Sequence, residues 1–373
     1  MSKKLIGLII NPIAGIGGRV GLKGSDSIFL QQRAYELGAK PLAISRTIET
    51  LTYISGYKEK AKFITFPEKM GAFALERLGF EREIIGEIYP DHTTAEDTRR
   101  AARLIATKGV DLLVFSGGDG TARDIYDAIG MDIQCLGIPA GVKIHSPVYA
   151  INPFAAGQLL IRYLEREKID TREAEVIDLD EDAYREGIVK TRLYGYLKIL
   201  YVPQFIQGGK VSSHQNARSK IMEIASYIVE NMVKDVPYIL GPGTTTKAIT
   251  DYLGLQKTLI GVDIIINRQF LKKDVGETEL LDLLSSVSDA KIIVTPIGGQ
   301  GFIFGRGNQQ ISPQIIRRVG RENIWIISTL DKIISLKGRP LLLDTGDYQL
   351  DMDFRGYWKV IIGYNEFLVY RVT

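Results

Sequence analysis

A chain of 373 residues, 45% hydrophobic and 24% charged, has the composition of a folded globular protein and enough length for two domains. Forty-seven basic against 44 acidic side chains leave a formal charge of +3, too weak a bias to argue for a nucleic-acid partner. Cys135 is the one cysteine and the three histidines are scattered, so an internal disulfide is excluded and a Cys/His zinc site has no support.

Residues 4–10 (KLIGLII) predict a buried first strand. The apolar run stops at Asn11 and Pro12, too short for a membrane span and without a cleavage-like site, and the expected location is the cytoplasm. It runs into the glycine-rich stretch NPIAGIGGRVGLKG. A helix is expected over about 27–37, strands over 40–44 and 62–66, a helix over 67–78 and a strand over 83–88. A further helix over 94–108 takes Thr93 or Thr94 as its cap, has acidic residues in its first turn, and meets Gly109 just past its end. DLLVFSGG (111–118) is an unbroken apolar strand, ARDIYDAIG is the next helix, and residues 133–141 add one more strand. Strands without polar alternation, separated by helices, predict a parallel sheet covered on both faces, a three-layer α/β domain over residues 1–148.

The pattern changes after residue 148. NPFAAGQLLIRYLEREK predicts a helix with Asn152 at the cap and Pro153 at its first position. REAEVIDLD, GIVKTRLYGYLKILYVP and the tail YWKVIIGYNEFLVYRV are rich in β-branched and aromatic residues and predict antiparallel strands. A long helix over 214–235 and two further strand–loop–helix stretches lie between them. Residues 149–373 are therefore expected to form a mixed, β-rich second domain with additional α/β units.

Four glycine-rich loops follow apolar strands. They bring in Asn11, Gly15, Gly17 and Gly18; Gly117, Gly118, Gly120 and Thr121; Gly243, Thr244, Thr245, Thr246 and Lys247; and Gly299, Gly301 and Arg306. At the carboxyl ends of strands in an open α/β sheet, glycines let backbone N–H groups approach an anion, and the following helix adds its positive end. The common nucleotide motifs are nevertheless absent, because Val20 stands where a dinucleotide fingerprint has glycine and Thr246 where a P-loop does. Asp119 is placed to deprotonate an attacking hydroxyl beside bound phosphates, or to cap the turn. Thr121 would cap the helix or bind phosphate, and Asp124 reads as solvated or as a partner of the helix dipole. Lys143 and Lys247 are candidates for the donor phosphates or are solvent-facing, and Arg306 is a phosphate clamp or a support for its own loop. His145 reads as structural.

SGGDGT resembles the signature of the superfamily that joins NAD kinases with diacylglycerol and sphingosine kinases. With NPIAGIGG, GIPAGVK (137–143), GPGTTTKAI (241–249) and IGGQGFIFGRGNQQISP (297–313), essentially the whole chain is similar to the archaeal and bacterial group of ATP-NAD kinase-like proteins related to AcoX. The resemblance implies an α/β domain followed by a β-rich one, with Asp119 as base toward the 2′-hydroxyl of the adenosine ribose of NAD. It also implies that Gly117, Gly118, Gly120 and Thr121 handle nucleotide phosphates. NAD kinases carry an Asn-Glu pair after this domain, where this chain has Asn152-Pro153.

The expected activity is phosphoryl transfer from ATP, or polyphosphate, to NAD, giving NADP, with Mg²⁺ on the donor and no side chain assigned as a metal ligand. A kinase for another hydroxyl compound, lipid or small metabolite, and a nucleotide-binding protein without turnover are the alternatives. The lipid reading lacks an amphipathic helix with a basic face near the first domain. Partners are expected to be nucleotide substrates, with neither nucleic acid nor membrane, and a homo-oligomer (dimer or tetramer) is implied by the resemblance.

Overall fold

The computed structural model describes residues 3–22, 28–88, 93–142, 144–179, 191–207 and 217–373. The chain divides into two compact units, Met1–Ile16 with Lys40–Gly209, and Gly17–Ala39 with Lys210–Thr373.

The first unit is built on β1 (Lys4–Ile10), β2 (Ala61–Thr65), β3 (Arg82–Ile84), β4 (Leu112–Gly117), β5 (Cys135–Pro139), β6 (Asp170–Leu179) and β7 (Thr191–Tyr201). Among the described residues they form one sheet in the order β3-β2-β1-β4-β5-β7-β6, parallel except for the β6–β7 hairpin. All six residues of β4 and all five of β5 are buried, which is why neither strand shows polar alternation. The helices accompanying this sequence are α1 (Ile28–Glu36, in the second unit), α2 (Ala43–Tyr53), α3 (Ala72–Leu78), α4 (Ala95–Thr107), α5 (Asp119–Ile129) and α6 (Pro153–Leu164). Pleat parity shows helices on both faces. Gly7 and its partner Leu113 lie beneath Ile105 of α4, whereas Ser116, three residues on and so on the other face, donates to the Ala43 carbonyl of α2. The first domain is the three-layer α/β arrangement expected from its apolar strands.

Two elements differ from expectation. Residues 40–44 do not form a strand, since Ala43 opens α2. Ile44, Thr47, Ile48, Thr50 and Thr52 make this a poor helix by propensity, but Ala43, Thr47, Thr50 and Leu51 share a buried stripe, and Thr47 and Thr50 return their hydroxyls to carbonyls one turn back. The chain also does not leave the first unit at residue 148. β7 runs parallel to β5 through Cys135 and Ile199, and β6 pairs with β7 along its whole length, so the hairpin extends the first sheet.

The second unit contains β8 (Tyr238–Leu240), β9 (Asp263–Ile266), β10 (Gln269–Lys272), β11 (Lys291–Val294), β12 (Phe302–Phe304), β13 (Ile324–Ile327), β14 (Leu342–Leu343), β15 (Gly356–Gly363) and β16 (Glu366–Val372). Its helices are α7 (Ala217–Glu230), α8 (Thr244–Tyr252), α9 (Glu277–Ser286), α10 (Pro313–Val319), α11 (Leu330–Ser335) and α12 (Tyr348–Asp353). The main sheet is mixed, ordered β10-β9-β8-β11-β13-β15-β16, with parallel β8, β11, β13 and β15 flanked by antiparallel strands. Ile292 and Val294 join a core with α9, α10 and α11, while Ile293 between them joins a core with α7 and α8. The second domain is thus the mixed, strand-rich domain with α/β units.

A chain cut after residue 148 would lose the buried Leu159, Leu160, Leu197 and Ile199. It is expected to lack a fixed tertiary fold, with weak near-ultraviolet circular dichroism and no cooperative urea transition. A cooperative transition in that fragment would contradict the place given to the hairpin.

Candidate active site

In the first unit, β1 and β4 run parallel in register from Ile6–Leu112 to Ile10–Ser116, so the segments that follow them leave on the same rim. Asn11 continues the pairing by donating its N–H to the Ser116 carbonyl at 2.9 Å. Its side-chain amide donates to the Thr121 hydroxyl at 3.0 Å and its side-chain oxygen accepts from Ile13 N–H. Asn11 and Thr121, called from separate motifs, therefore form one hydrogen-bonded pair.

SGGDGT is not a free loop. β4 ends at Gly117, Gly118 is the N-cap residue, and Asp119 is the first residue of α5. A Cβ at Gly117 would meet the Thr121 hydroxyl oxygen at 2.2 Å, and Cβ atoms at Gly118 or Gly141 would meet the other's Cα at 3.1 or 2.7 Å. Gly15 has φ +83°, and a Cβ there would lie 2.3 Å from the Ala140 carbonyl oxygen. Close packing, against backbone at Gly15 and Gly118 and against the Thr121 side chain at Gly117, therefore accounts for these three glycines without a ligand. Gly120 is half-buried, with the Asp178 carboxylate an ordinary contact distance away.

Asp119 is buried, and its carboxylate makes three hydrogen bonds with the segment after β5. Oδ2 accepts from the His145 N–H at 2.6 Å and lies 3.1 Å from His145 Nδ1, while Oδ1 accepts from the Ser146 N–H at 3.0 Å. The Ser146 hydroxyl donates to the Ile177 carbonyl and accepts the Ile177 N–H, tying the segment to β6. The Gln207 amide donates to the Ser146 carbonyl at 2.6 Å, and its buried Oε1 has no hydrogen-bond partner among the described residues. The Tyr149 hydroxyl donates to the Gly118 carbonyl. His145, read as structural, thus contacts the motif carboxylate directly. Ser146 and Gln207 carried no sequence signal, because their roles depend on the folding back of β6 and β7. Asn152 caps α6 by accepting the Ala155 N–H at 2.8 Å. Lys143 lies outside the described residues.

In the second unit the segments after β8, β11 and β13 share a rim because those strands are parallel. Gly243, at φ +122°, precedes α8; Thr244 is exposed, Thr245 and Thr246 are buried, and the Thr246 hydroxyl donates within the turn to the Gly241 and Gly243 carbonyls. Lys247 pairs with Asp251 one turn along α8. The cation beside the threonines is instead Lys332 of α11, whose ammonium donates to Thr245 Oγ1 at 2.9 Å and Thr295 Oγ1 at 3.3 Å. Its signal was the strand IWII followed by the Ser328-Thr329 cap. Arg306 is buried in an ion pair with Asp344 at 3.0 Å and stacks over Phe302, so its charge supports its own loop. Gly299 and Gly301 have positive φ in the turn between β11 and β12, and Gly299 accepts from Arg339. Gly17 and Gly18 belong to this unit, with Gly18 packed on the side chain of Gln309.

The family models for ATP-NAD kinase match in chain order, the N-terminal domain over residues 6–168 and the C-terminal domain over 233–372. The chain belongs to the NAD kinase superfamily. The N-terminal match takes in SGGDGT and the Asp119–His145–Ser146 cluster, so the cluster lies inside the kinase-like part of the chain. Among solved structures, a diacylglycerol kinase from Bacillus anthracis str. Sterne is 16% identical, with 48% of this chain and 46% of that one covered and a TM-score of 0.23. A protein assigned as a UDP-N-acetylglucosamine 2-epimerase from Listeria monocytogenes is 14% identical, over 90% of this chain and 71% of that one, with a TM-score of 0.26. The chain spans less than half the length of the diacylglycerol kinase structures it matches. No curated protein matches its sequence significantly.

Of the two readings of Asp124, solvation does not hold: the side chain is buried, with Arg99 at 2.6 Å. Burial pushes its carboxyl up from 3.8 to about 6, against the opposing pull of Arg99 and Arg123. A raised carboxyl value means that its contribution favours the fold most at low pH and is lost as pH rises through the folded value. Asp124→Asn is expected to flatten that loss between roughly pH 4 and 6, by at most about 3 kcal/mol, in a series of urea midpoints. An unchanged slope would show that Asp124 does not titrate there. Gly141→Ala should cost about 1–3 kcal/mol because the clash is with backbone rather than a movable side chain. An unaltered urea midpoint would refute the close-packing account of this glycine.

Proposed function

We propose that this protein is a kinase that transfers the terminal phosphoryl group of a nucleoside triphosphate, ATP, to the 2′-hydroxyl of the adenosine ribose of NAD, giving NADP. The observation that carries the reading is the pair of ATP-NAD kinase domain matches, in order, with SGGDGT inside the first. The chemistry suits the first unit's rim. Asp119 and His145 offer the groups for a hydroxyl acceptor, and Gly120 offers half-buried backbone at the first turn of α5. In the second unit Lys332, with the hydroxyls of Thr245 and Thr295, replaces Lys247 as the cation suited to phosphate oxygens.

No group of three or more His, Cys, Asp or Glu side chains able to hold a metal ion occurs among the described residues. Mg²⁺ fits this reading as an ion carried by the donor phosphates, where it would neutralise their charge. No helix among the described residues is long and apolar enough to cross a membrane.

The test is a substrate panel of NAD, NADH, diacylglycerol and a sphingoid base against ATP and polyphosphate with Mg²⁺. NADP formation from NAD and ATP is expected. Phosphorylation of a lipid in place of NAD would overturn the acceptor assignment, polyphosphate as sole donor would overturn the donor, and nucleotide binding without any product would overturn catalysis.

A further inference from the structure

Phosphorylating a hydroxyl requires that its proton go somewhere, and the motif offers Asp119. An ionised carboxylate has about four lone-pair positions. Three hydrogen bonds from His145 N–H, His145 Nδ1 and Ser146 N–H already engage this one, and the residue is 5% exposed. Its geometry is that of an anchor. A carboxylate acting as acceptor places the shared hydrogen on Nδ1, the tautomer in which an uncharged imidazole offers Nε2 as its acceptor. The ring is held at both ends of its residue, through the backbone N–H and through Nδ1, by the same carboxylate. The next residue is fixed to β6 by two hydrogen bonds of the Ser146 hydroxyl. An imidazole oriented by a buried carboxylate, with its far nitrogen basic, is the arrangement by which a hydroxyl is made nucleophilic in other enzymes.

We propose that His145 Nε2 is the catalytic base for the acceptor hydroxyl and that Asp119 is a positioning residue that fixes the tautomer and orientation of that imidazole. The proposal rests on the kinase reading above. In the step, the acceptor O–H bond breaks and its proton goes to Nε2. The hydroxyl oxygen bonds to the terminal phosphorus of the nucleoside triphosphate. The bond from that phosphorus to the bridging oxygen breaks, and its electron pair leaves with the nucleoside diphosphate. The imidazolium then returns its proton to solvent. The His145 side chain is 6% exposed.

The test uses the full-length protein and steady-state NADP formation. His145→Ala is expected to lower kcat about 10²- to 10⁴-fold with the KM for NAD nearly unchanged, and added imidazole should restore part of the turnover. Asp119→Asn should lower kcat without imidazole rescue, because the native ring is still in place, and the double variant should be little worse than His145→Ala. Near-normal turnover in His145→Ala would overturn the assignment, as would formate rescue of a protein carrying both Asp119→Ala and His145→Ala, which would make the carboxylate the base. Should a variant fail to fold, nitrogen NMR of the unaltered protein decides the same point: Nδ1–H with unprotonated Nε2 is expected, and an Nε2–H tautomer would overturn it. A wild-type protein that phosphorylates nothing in the substrate panel would sink the kinase reading and this proposal together, whereas an active wild type with an active His145→Ala sinks the proposal alone.

Discussion

The carboxylate of Asp119 joins the end of β4 to the segment that follows β5, and much of the first unit's rim depends on that junction. Three donors from two consecutive residues converge on it, and Ser146 passes the constraint on to β6 and to Gln207 beyond β7. The junction needs the two backbones to come close, which the glycine pair at 118 and 141 allows because neither has a Cβ. The hydrogen-bond chain also explains why the β6–β7 hairpin belongs to this unit: it supplies the far wall of the cluster and lengthens the sheet.

The glycines of SGGDGT consequently have two jobs that a sequence cannot separate. Gly117 makes room for the Thr121 side chain and Gly118 for the neighbouring backbone, while a Cβ added at Gly120 would only come within 3.9 Å of the Asp178 carboxylate. A run of glycine after a strand reports that backbone must lie near something. Whether that something is a phosphate or another loop depends on residues distant in the chain.

Neighbours also decide which cations are suited to a phosphate. Lys247 has the right place in the motif, but i,i+4 spacing gives it Asp251 on the same helix face. Arg306 is buried against Asp344, where removal of either partner would leave an unpaired charge. Lys332 reaches two threonine hydroxyls, one in the first turn of α8 and one just past β11, and it comes from a segment without a glycine motif.

Several features were legible from sequence because they are set by short-range physics. The unbroken apolar runs of β1, β4 and β5 marked a parallel sheet, a threonine at 93 or 94 before an acidic turn and Asn152 with Pro153 marked helix starts, and the tail marked an antiparallel pair. SGGDGT and its companions carried the superfamily resemblance. The tertiary structure alone decided the rest. It made a helix of the threonine-rich 43–53 by burying one stripe of it, moved the β6–β7 hairpin into the first sheet, and set His145 against Asp119 across 26 residues of chain. Periodicity and capping are energies of residues a turn apart, so a linear reading captures them. Sheet partners, the purpose of a glycine and the counterpart of a buried carboxylate are energies of contacts between distant segments, and these exist only once the chain has folded.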